Sequence, residues 1–164
     1  MVAVIEEFCD WLAATPISEA FKNWNWFVPI VQTVHILSVA IVLTAVYIIG
    51  LRLVGVSLGK QSLATVTGKS MPWTWIALGV LLITGALLTI TEPTRELLNY
   101  AFRAKMVMVL ILAGILLIIQ LRLRQNPGYW NESPGRRGVA RALGVASLVV
   151  GASIVTAGRW IAYV

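Results

Sequence analysis

The stretch FVPIVQTVHILSVAIVLTAVYIIG, residues 27–50, carries no charged side chain. It is long enough to cross a hydrocarbon core about 30 Å thick as a helix, and a helix lets a single segment satisfy its own backbone amides in lipid. Three further apolar runs follow at about 73–91, 104–121 and 139–163. The sequence therefore predicts an all-α fold, an integral membrane four-helix bundle formed by residues 27–164.

The composition agrees with this class of protein. Of the 164 residues, 59% are hydrophobic and 12% are charged, and the mean hydropathy is +0.84. A soluble domain of this length would expose more charge. The net charge is +6, yet the basic residues lie between the apolar runs and build no basic stripe. This distribution argues against a nucleic-acid partner and indicates the lipid bilayer, whose anionic headgroups attract such residues.

Residues 1–26 form a segment of different character. Its apolar residues recur at helical spacing with acidic residues between them: Ile5, Phe8, Leu12, Ile17 and Phe21. The pattern predicts an interfacial amphipathic helix on the membrane surface, interrupted at Pro16. Ser18 is predicted to cap a short second helix. Cys9 is the only cysteine, so no disulfide forms within one chain.

The distribution of charge predicts the orientation. The first and third connections, 52–72 and 122–138, contain one acid, Glu132, and most of the basic residues: Arg52, Lys60, Lys69, Arg122, Arg124, Arg136, Arg137 and, just inside the fourth span, Arg141. By the positive-inside rule these connections are cytoplasmic, so both termini lie outside. Interfacial aromatic residues fit this orientation, with Trp24, Trp26, Tyr100, Trp160 and Tyr163 outside and Trp73, Trp75, Tyr129 and Trp130 inside.

His35 is the only histidine and lies in the outer half of the first span. Gln32 and Ser38, three residues to either side, share its helix face. Polar groups at this depth face the bundle interior and are often functional, and neutral imidazole is a common ligand of haem iron or copper. We interpret His35 as a metal ligand in a cofactor-binding site. A proton or substrate relay, or a hydrogen bond that only joins two helices, are the alternatives.

Other ionic residues map to the same outer end. Lys105 opens the third span, Glu92 closes the second, and Arg159 lies one turn from the end of the fourth. A closed bundle could gather them with His35 and Gln32 around one pocket, where Lys105 and Arg159 would bind haem propionates or another anion. Alternatively, each extends its charge to the membrane surface, as Lys and Arg near helix ends commonly do.

The fourth span has a face of small residues: Ala140, Gly144, Ser147, Gly151 and Gly158. Such a face favours close helix packing in lipid, and it could also lie beneath a flat macrocycle. Thr84 and Gly85 in the second span leave the same two interpretations open.

Six short motifs follow one another along the chain: ATPIS at 14–18, PIVQTVH at 29–35, LRLVG at 51–55, PWTW at 72–75, TG at 84–85 and AFRAK at 101–105. Together they resemble an uncharacterised domain-of-unknown-function family of small bacterial four-helix membrane proteins. The resemblance implies the bacterial inner (cytoplasmic) membrane, with both termini then periplasmic. The chain departs from the family at Gly50, where an acidic residue is usual.

More distantly, a histidine in the first span and a lysine opening the third resemble copper-resistance-D-like membrane proteins and cytochrome b-type four-helix bundles. This resemblance implies copper handling or haem b ligation, carried here by His35 and Lys105. Because b-type cytochromes usually use two histidines, bis-histidine ligation here would require a homo-oligomer or a partner chain.

Three functions remain open. The first is a redox or metal-site subunit for electron transfer, with His35 ligating haem b or copper near the outer leaflet. The second is a non-catalytic accessory or assembly subunit of a larger membrane complex, and the third is a small oligomeric transporter. The sequence contains no hydrolytic triad, phosphate-binding glycine loop or dinucleotide fingerprint, so we do not expect an independent enzyme.

Overall fold

The computed structural model describes residues 2–56 and 61–160. Its helices are α1 Val2–Ala13, α2 Pro16–Asn23, α3 Phe27–Val54, α4 Leu63–Thr91, α5 Pro93–Leu97, α6 Tyr100–Gln125 and α7 Pro134–Trp160, with a 3₁₀ turn at Tyr129–Asn131. Helices α3, α4, α6 and α7 are long and apolar enough to cross a membrane. The described ranges contain no strand, so the prediction of an all-α membrane helical bundle is confirmed. Lys60, Tyr163 and the predicted end of the fourth span at 161–163 lie outside these ranges.

The four long helices form an up-and-down bundle. Helix α3 packs against α4 and α7, while α6 packs against α7 and, more loosely, against α4. Helices α3 and α6 therefore occupy opposite corners. We call the end that carries α1, α2 and α5 the acidic end, because all the described acids except Glu132 lie there. The opposite end, where α3 and α6 end and α4 and α7 begin, is the basic end.

Helices α3 and α7 approach most closely where two glycines meet. A Cβ atom at Gly144 would lie 2.7 Å from the backbone oxygen of Gly50, and one at Gly50 would lie 2.9 Å from Leu148 Cγ and Ser147 Oγ. Helix α3 therefore covers the small-residue face of α7 from Gly144 to Gly151, and no macrocycle fits there. The same contact explains why an acidic side chain is excluded at position 50.

Helix α4 is longer than the apolar run that indicated it. It begins at Leu63 and passes through Pro72, so most of the predicted connection from 52 to 72 is helical. Ser62 caps the helix, because the backbone N–H of Thr65 donates to Ser62 Oγ at 3.1 Å. Helix α3 ends at Gly55, whose φ of 108° lies in the left-handed region that favours glycine.

Helices α1 and α2 pack on the acidic end. Ser18 is fully buried and donates to the backbone oxygen of Ile90 at 2.9 Å, which joins α2 to the end of α4. The cap of α2 is Thr15, whose Oγ1 accepts from the Ser18 backbone N–H at 3.4 Å. The prediction that Ser18 caps this helix is therefore wrong. Pro16 already occupies the first helical position, so the capping position is the residue before it.

The apolar side of α1 divides into two strips. Cys9 is fully buried, and Ile5 and Leu12 are half-buried beside it. An adjacent strip of Val4, Phe8 and Trp11 is exposed. The first strip packs on the protein, and the second is the part of α1 that could meet lipid, so the interfacial position of α1 stays a prediction.

Aromatic residues differ between the two ends. At the acidic end the predicted belt residues are exposed: Trp24, Trp26, Tyr100 and Trp160. At the basic end Trp73 is exposed, but Trp130 is buried and the half-buried Trp75 packs against the core. Trp75 and Trp130 thus contribute to the apolar core, and their position at the membrane interface stays a prediction.

Candidate functional site

His35 joins α3 to α4 near the acidic end. Its Nδ1 atom lies 2.8 Å from Oγ1 of Thr84. The Thr84 hydroxyl also lies 2.7 Å from the backbone oxygen of Val80, to which it donates its one hydrogen. With that hydrogen used, the Thr84 oxygen is available to accept from Nδ1–H of His35, which is the tautomer that leaves the lone pair on Nε2.

The second ring nitrogen is the chemically available one. His35 is half-buried and Thr84 is buried. Within the part of the chain that the structure describes, Nε2 has no hydrogen-bond partner. Gly85 lies beside the ring, where a Cβ atom would be 3.6 Å from His35 Cε1. One nitrogen is thus held by a neighbouring helix and the other keeps its lone pair, as is usual for metal-ligating histidines.

Lys105 brings a positive charge to the same region. It is half-buried, and its Nζ lies 5.1 Å from the centroid of the Phe102 ring. Its Cδ would lie 3.9 Å from a Cβ at Gly158. Lys105 lies in the second turn of α6 and His35 in the third turn of α3, so both are toward the acidic end, at opposite corners of the bundle.

The other predicted site residues differ in burial. Gln32 and Arg159 are exposed, and Ser38 is buried with its hydroxyl donating to the Val34 backbone oxygen of its own helix at 2.9 Å. Glu92 pairs with Arg95 at 2.8 Å on the surface. That Gln32, Glu92 and Arg159 share one pocket with His35 and Lys105 stays a prediction.

Sequence reasoning did not pair Thr84 with His35. Thr84 had a detectable signal, because it lies about as far from the end of α4 as His35 lies from the start of α3. Antiparallel neighbours place such residues at one depth.

Two open grooves lie on the surface away from His35. One, of about 540 Å³, lies between α6 and α7 and is lined mainly by small residues: Ala101, Val149, Ala152, Ser153, Thr156, Ala157 and Trp160. The other, of about 550 Å³, lies between α3 and α4 toward the basic end, between Leu37 and Trp73. His35 lines neither groove. Residues 2–56 and 61–160 also contain no group of three His, Cys, Asp or Glu side chains that could hold a metal ion.

The helical bundle defines the chain as a multi-pass membrane protein. The chain belongs to a family of unknown function, DUF6644, whose model matches residues 11–164. No curated protein and no solved structure matches the chain. The more distant similarity to copper-resistance-D-like proteins and to b-type cytochromes finds no support in these comparisons.

Proposed function

We propose that this membrane protein is a redox subunit that binds haem b through Nε2 of His35. The observation that carries the proposal is the 2.8 Å contact between His35 Nδ1 and Thr84 Oγ1. It orients the ring from one side, and in the tautomer that carries its proton on Nδ1 a second-shell hydrogen bond of this kind makes the ligating nitrogen more basic. When bound, haem would supply one-electron transfer.

The donor set favours haem over copper. A copper ion takes several protein ligands, and the described residues hold no cluster of three His, Cys, Asp or Glu side chains. A porphyrin brings four nitrogen ligands of its own and requires an axial ligand from the protein. One histidine with a free Nε2 meets that requirement.

The electrostatics agree with this choice. Lys105 lies toward the same end of the bundle as His35, and an ammonium disfavours a bare metal cation nearby. The same ammonium attracts carboxylates, which haem carries as propionates. In this proposal Lys105 binds the anionic edge of the cofactor, while His35 binds its centre.

A single histidine also has a consequence for assembly. Bis-histidine ligation would take its second imidazole from another copy of this chain or from a partner subunit. A homo-oligomer or a larger membrane complex is therefore part of the proposal. In such an assembly the chain carries electrons and does not act as an independent enzyme.

The experiment is an absorption spectrum with metal analysis. The protein is extracted from native membranes in mild detergent, and oxidised and reduced spectra are recorded for the wild type, His35→Ala and Gln32→Ala. We expect a Soret band and stoichiometric iron in the wild type and in Gln32→Ala, and loss of both in His35→Ala. Stoichiometric copper without a Soret band, or a wild type that binds added haem no better than His35→Ala, would overturn the proposal.

Thr84 offers a test of the supporting hydrogen bond. Thr84→Val removes the acceptor of Nδ1–H at nearly constant volume, and loss of a second-shell partner lowers affinity by about 10- to 100-fold. Thr84→Ser keeps the hydroxyl and should bind haem about as tightly as the wild type. The readout is haem titration of the cofactor-free protein, with thermal unfolding to show that both variants fold.

A second function, an accessory subunit of a larger complex, has one observation in its favour. The groove between α6 and α7 is open and lined by small side chains, which is the kind of surface that accepts a partner helix in lipid. Native gel migration of the membrane extract would test it. Migration as a single chain, together with a cofactor-free spectrum, would count against both functions.

A further inference from the structure

At the basic end, two arginines contact the same aromatic ring. The guanidinium carbon of Arg136 lies 4.3 Å from the centroid of the Tyr129 ring, and that of Arg122 lies 5.2 Å from it. Arg122 is in the last turn of α6 and Arg136 is in the first turn of α7. The ring of Tyr129 thus holds together the charges from two helix ends.

The turn that carries Tyr129 is held by several hydrogen bonds. The backbone N–H of Gly128 donates to Asn126 Oδ1 at 2.9 Å, and that of Tyr129 donates to the Asn126 backbone oxygen at 3.1 Å. Tyr129 also meets the buried Trp130 edge to face, with ring centroids 5.0 Å apart. The platform beneath the two arginines is therefore fixed before any ligand arrives.

The charges around this platform do not balance. Glu132 pairs with Arg136 and also accepts from the Asn126 side chain. Within the described ranges Arg122 has no carboxylate partner, and its side chain is exposed. Two guanidinium groups near one ring repel each other, and one carboxylate offsets only one of them. An anion between them would complete the cluster.

The contacts with Tyr129 leave the N–H groups of Arg122 available, whereas Nη1 of Arg136 already pairs with Glu132. A guanidinium that lies over an aromatic ring uses its flat face and keeps its N–H edges for other partners. Those edges form a fork that fits phosphate, with two parallel hydrogen bonds from one arginine. Arg136 additionally lies at the N-terminus of α7, where the helix dipole favours a negative charge.

The surroundings identify the phosphate as part of a lipid. Exposed apolar side chains lead directly to the arginines, from Ile118 and Leu121 on α6 and from Val139 on α7. We propose that Arg122 and Arg136, arranged around Tyr129, bind the headgroup phosphate of an anionic phospholipid whose acyl chains lie along α6 and α7. Basic sites between helices at the membrane surface bind such headgroups. This proposal is independent of any cofactor at His35.

The test is lipid binding measured by native mass spectrometry of delipidated full-length protein. Phosphatidylglycerol is added to the wild type, to R122Q/R136Q and to R124Q/R137Q. The control pair loses the same charge from the same two helices, but Arg124 and Arg137 are exposed and contact no aromatic ring in the described part of the chain. We expect R122Q/R136Q to lose about tenfold or more in affinity, equivalent to about 1.4 kcal/mol, and the control pair to lose about twofold or less.

Further arms separate the alternatives. R122Q alone keeps the Arg136–Glu132 pair, so a several-fold loss relative to R124Q would support the site even if the double variant folds poorly. Equal losses in R122Q and R124Q, or in the two double variants, would show nonspecific attraction and overturn the proposal. Phosphatidylcholine should bind more weakly than phosphatidylglycerol. If millimolar inorganic phosphate displaces the lipid completely, the site belongs to a soluble phosphate and the lipid assignment is wrong.

Discussion

Helices α7 and α4 both flank α3, yet they are attached in different ways. Helix α7 packs against α3 by a close approach of the two backbones at Gly144 and Gly50. Helix α4 is attached by side-chain hydrogen bonds to three helices: to α2 through Ser18 and Ile90 at the acidic end, to α3 through His35 and Thr84 near that end, and to α6 through Trp75 and Gln120 toward the basic end.

The glycine contact contributes stability, whereas polar contacts between helices can also take part in chemistry. A contact between glycines excludes guests and polar groups, so it can only stabilise the bundle. A helix attached through polar side chains keeps donors and acceptors within the bundle, where a ligand can use them. The candidate site lies on α4 and α3, and the tight contact with α7 holds α3 in place behind it.

Disrupting the close packing of α3 against α7 should have the largest effect on the free energy of unfolding. In Gly144→Val the added Cβ would lie 2.7 Å from the backbone oxygen of Gly50, and a backbone atom cannot rotate away. We expect a loss of about 3 kcal/mol or more in the free energy of unfolding, the upper end of the range for overpacked cores. Thermal unfolding followed by circular dichroism in detergent measures it.

Gly114→Ala is the matched control. It lies on α6, and a Cβ there would meet nothing within 4 Å. Gly114 is half-buried, and a helical Gly→Ala change where the Cβ has space should alter the free energy of unfolding by at most about 1 kcal/mol, in the stabilising direction. Equal midpoints for Gly144→Val and Gly114→Ala would show that α3 and α7 do not approach as closely as described.

Breaking a polar attachment of α4 should have a smaller effect. Trp75 Nε1 donates to Gln120 Oε1 at 2.7 Å, and Gln120 is buried. Trp75→Phe leaves a buried amide oxygen without its donor, which costs about 1–3 kcal/mol of unfolding free energy. Gln120→Leu leaves the indole N–H unpaired in the same way.

The double variant sharpens this prediction. Trp75→Phe with Gln120→Leu removes both polar groups, so the combined loss should be smaller than the sum of the single losses. The same unfolding measurement on all four proteins gives the interaction free energy. Strict additivity would mean that the hydrogen bond does not join α4 to α6.

The sequence was sufficient to predict the four apolar helices and the position of His35 within the first of them. Apolar runs of membrane length leave a helix as the only conformation that pairs every amide, so the fold class required no tertiary information. Helix ends were less predictable. Residues 63–71 are polar enough to resemble a connection, yet Ser62 caps a helix that runs through Pro72.

The composition of the site was harder to predict than its position. His35 stood out as the only histidine, but its partner Thr84 is one of several hydroxyl residues in apolar helices. Which hydroxyl faces His35 depends on helix rotation, and the hydrophobic pattern of a lipid-embedded helix encodes rotation weakly, since all its sides are apolar. The burial of Trp75 and Trp130 was hard to predict for the same reason.

The attachment of α2 to α4 provides a third test. Ser18→Ala removes the donor to the Ile90 backbone oxygen, and a hydrogen bond of this kind contributes about 1 kcal/mol. Local opening of α1 and α2 should then increase about fivefold, which would expose the buried Cys9 thiol. The rate of maleimide labelling of Cys9 measures this opening. Ser62→Ala, which removes a cap at the basic end, should leave the labelling rate unchanged, and a similar increase in both variants would contradict the prediction.

The smallest effect concerns the pH dependence of the same thiol. Burial, together with the carboxylates of Asp10 and Glu6, raises the pKa of Cys9. The thiolate is the form that reacts with maleimide. The labelling rate of the folded protein should therefore rise with pH, and its midpoint should lie above the midpoint of the denatured chain, which is about 8.5. Because the folded state holds this proton more tightly, its contribution to stability is fully present below the unfolded pKa and is lost as pH rises through the folded pKa.

Ser18→Ala should move the labelling midpoint down toward the denatured value, because a loosened α1 hydrates the thiol. A wild-type midpoint equal to that of the denatured chain would mean that α1 is not packed on the bundle.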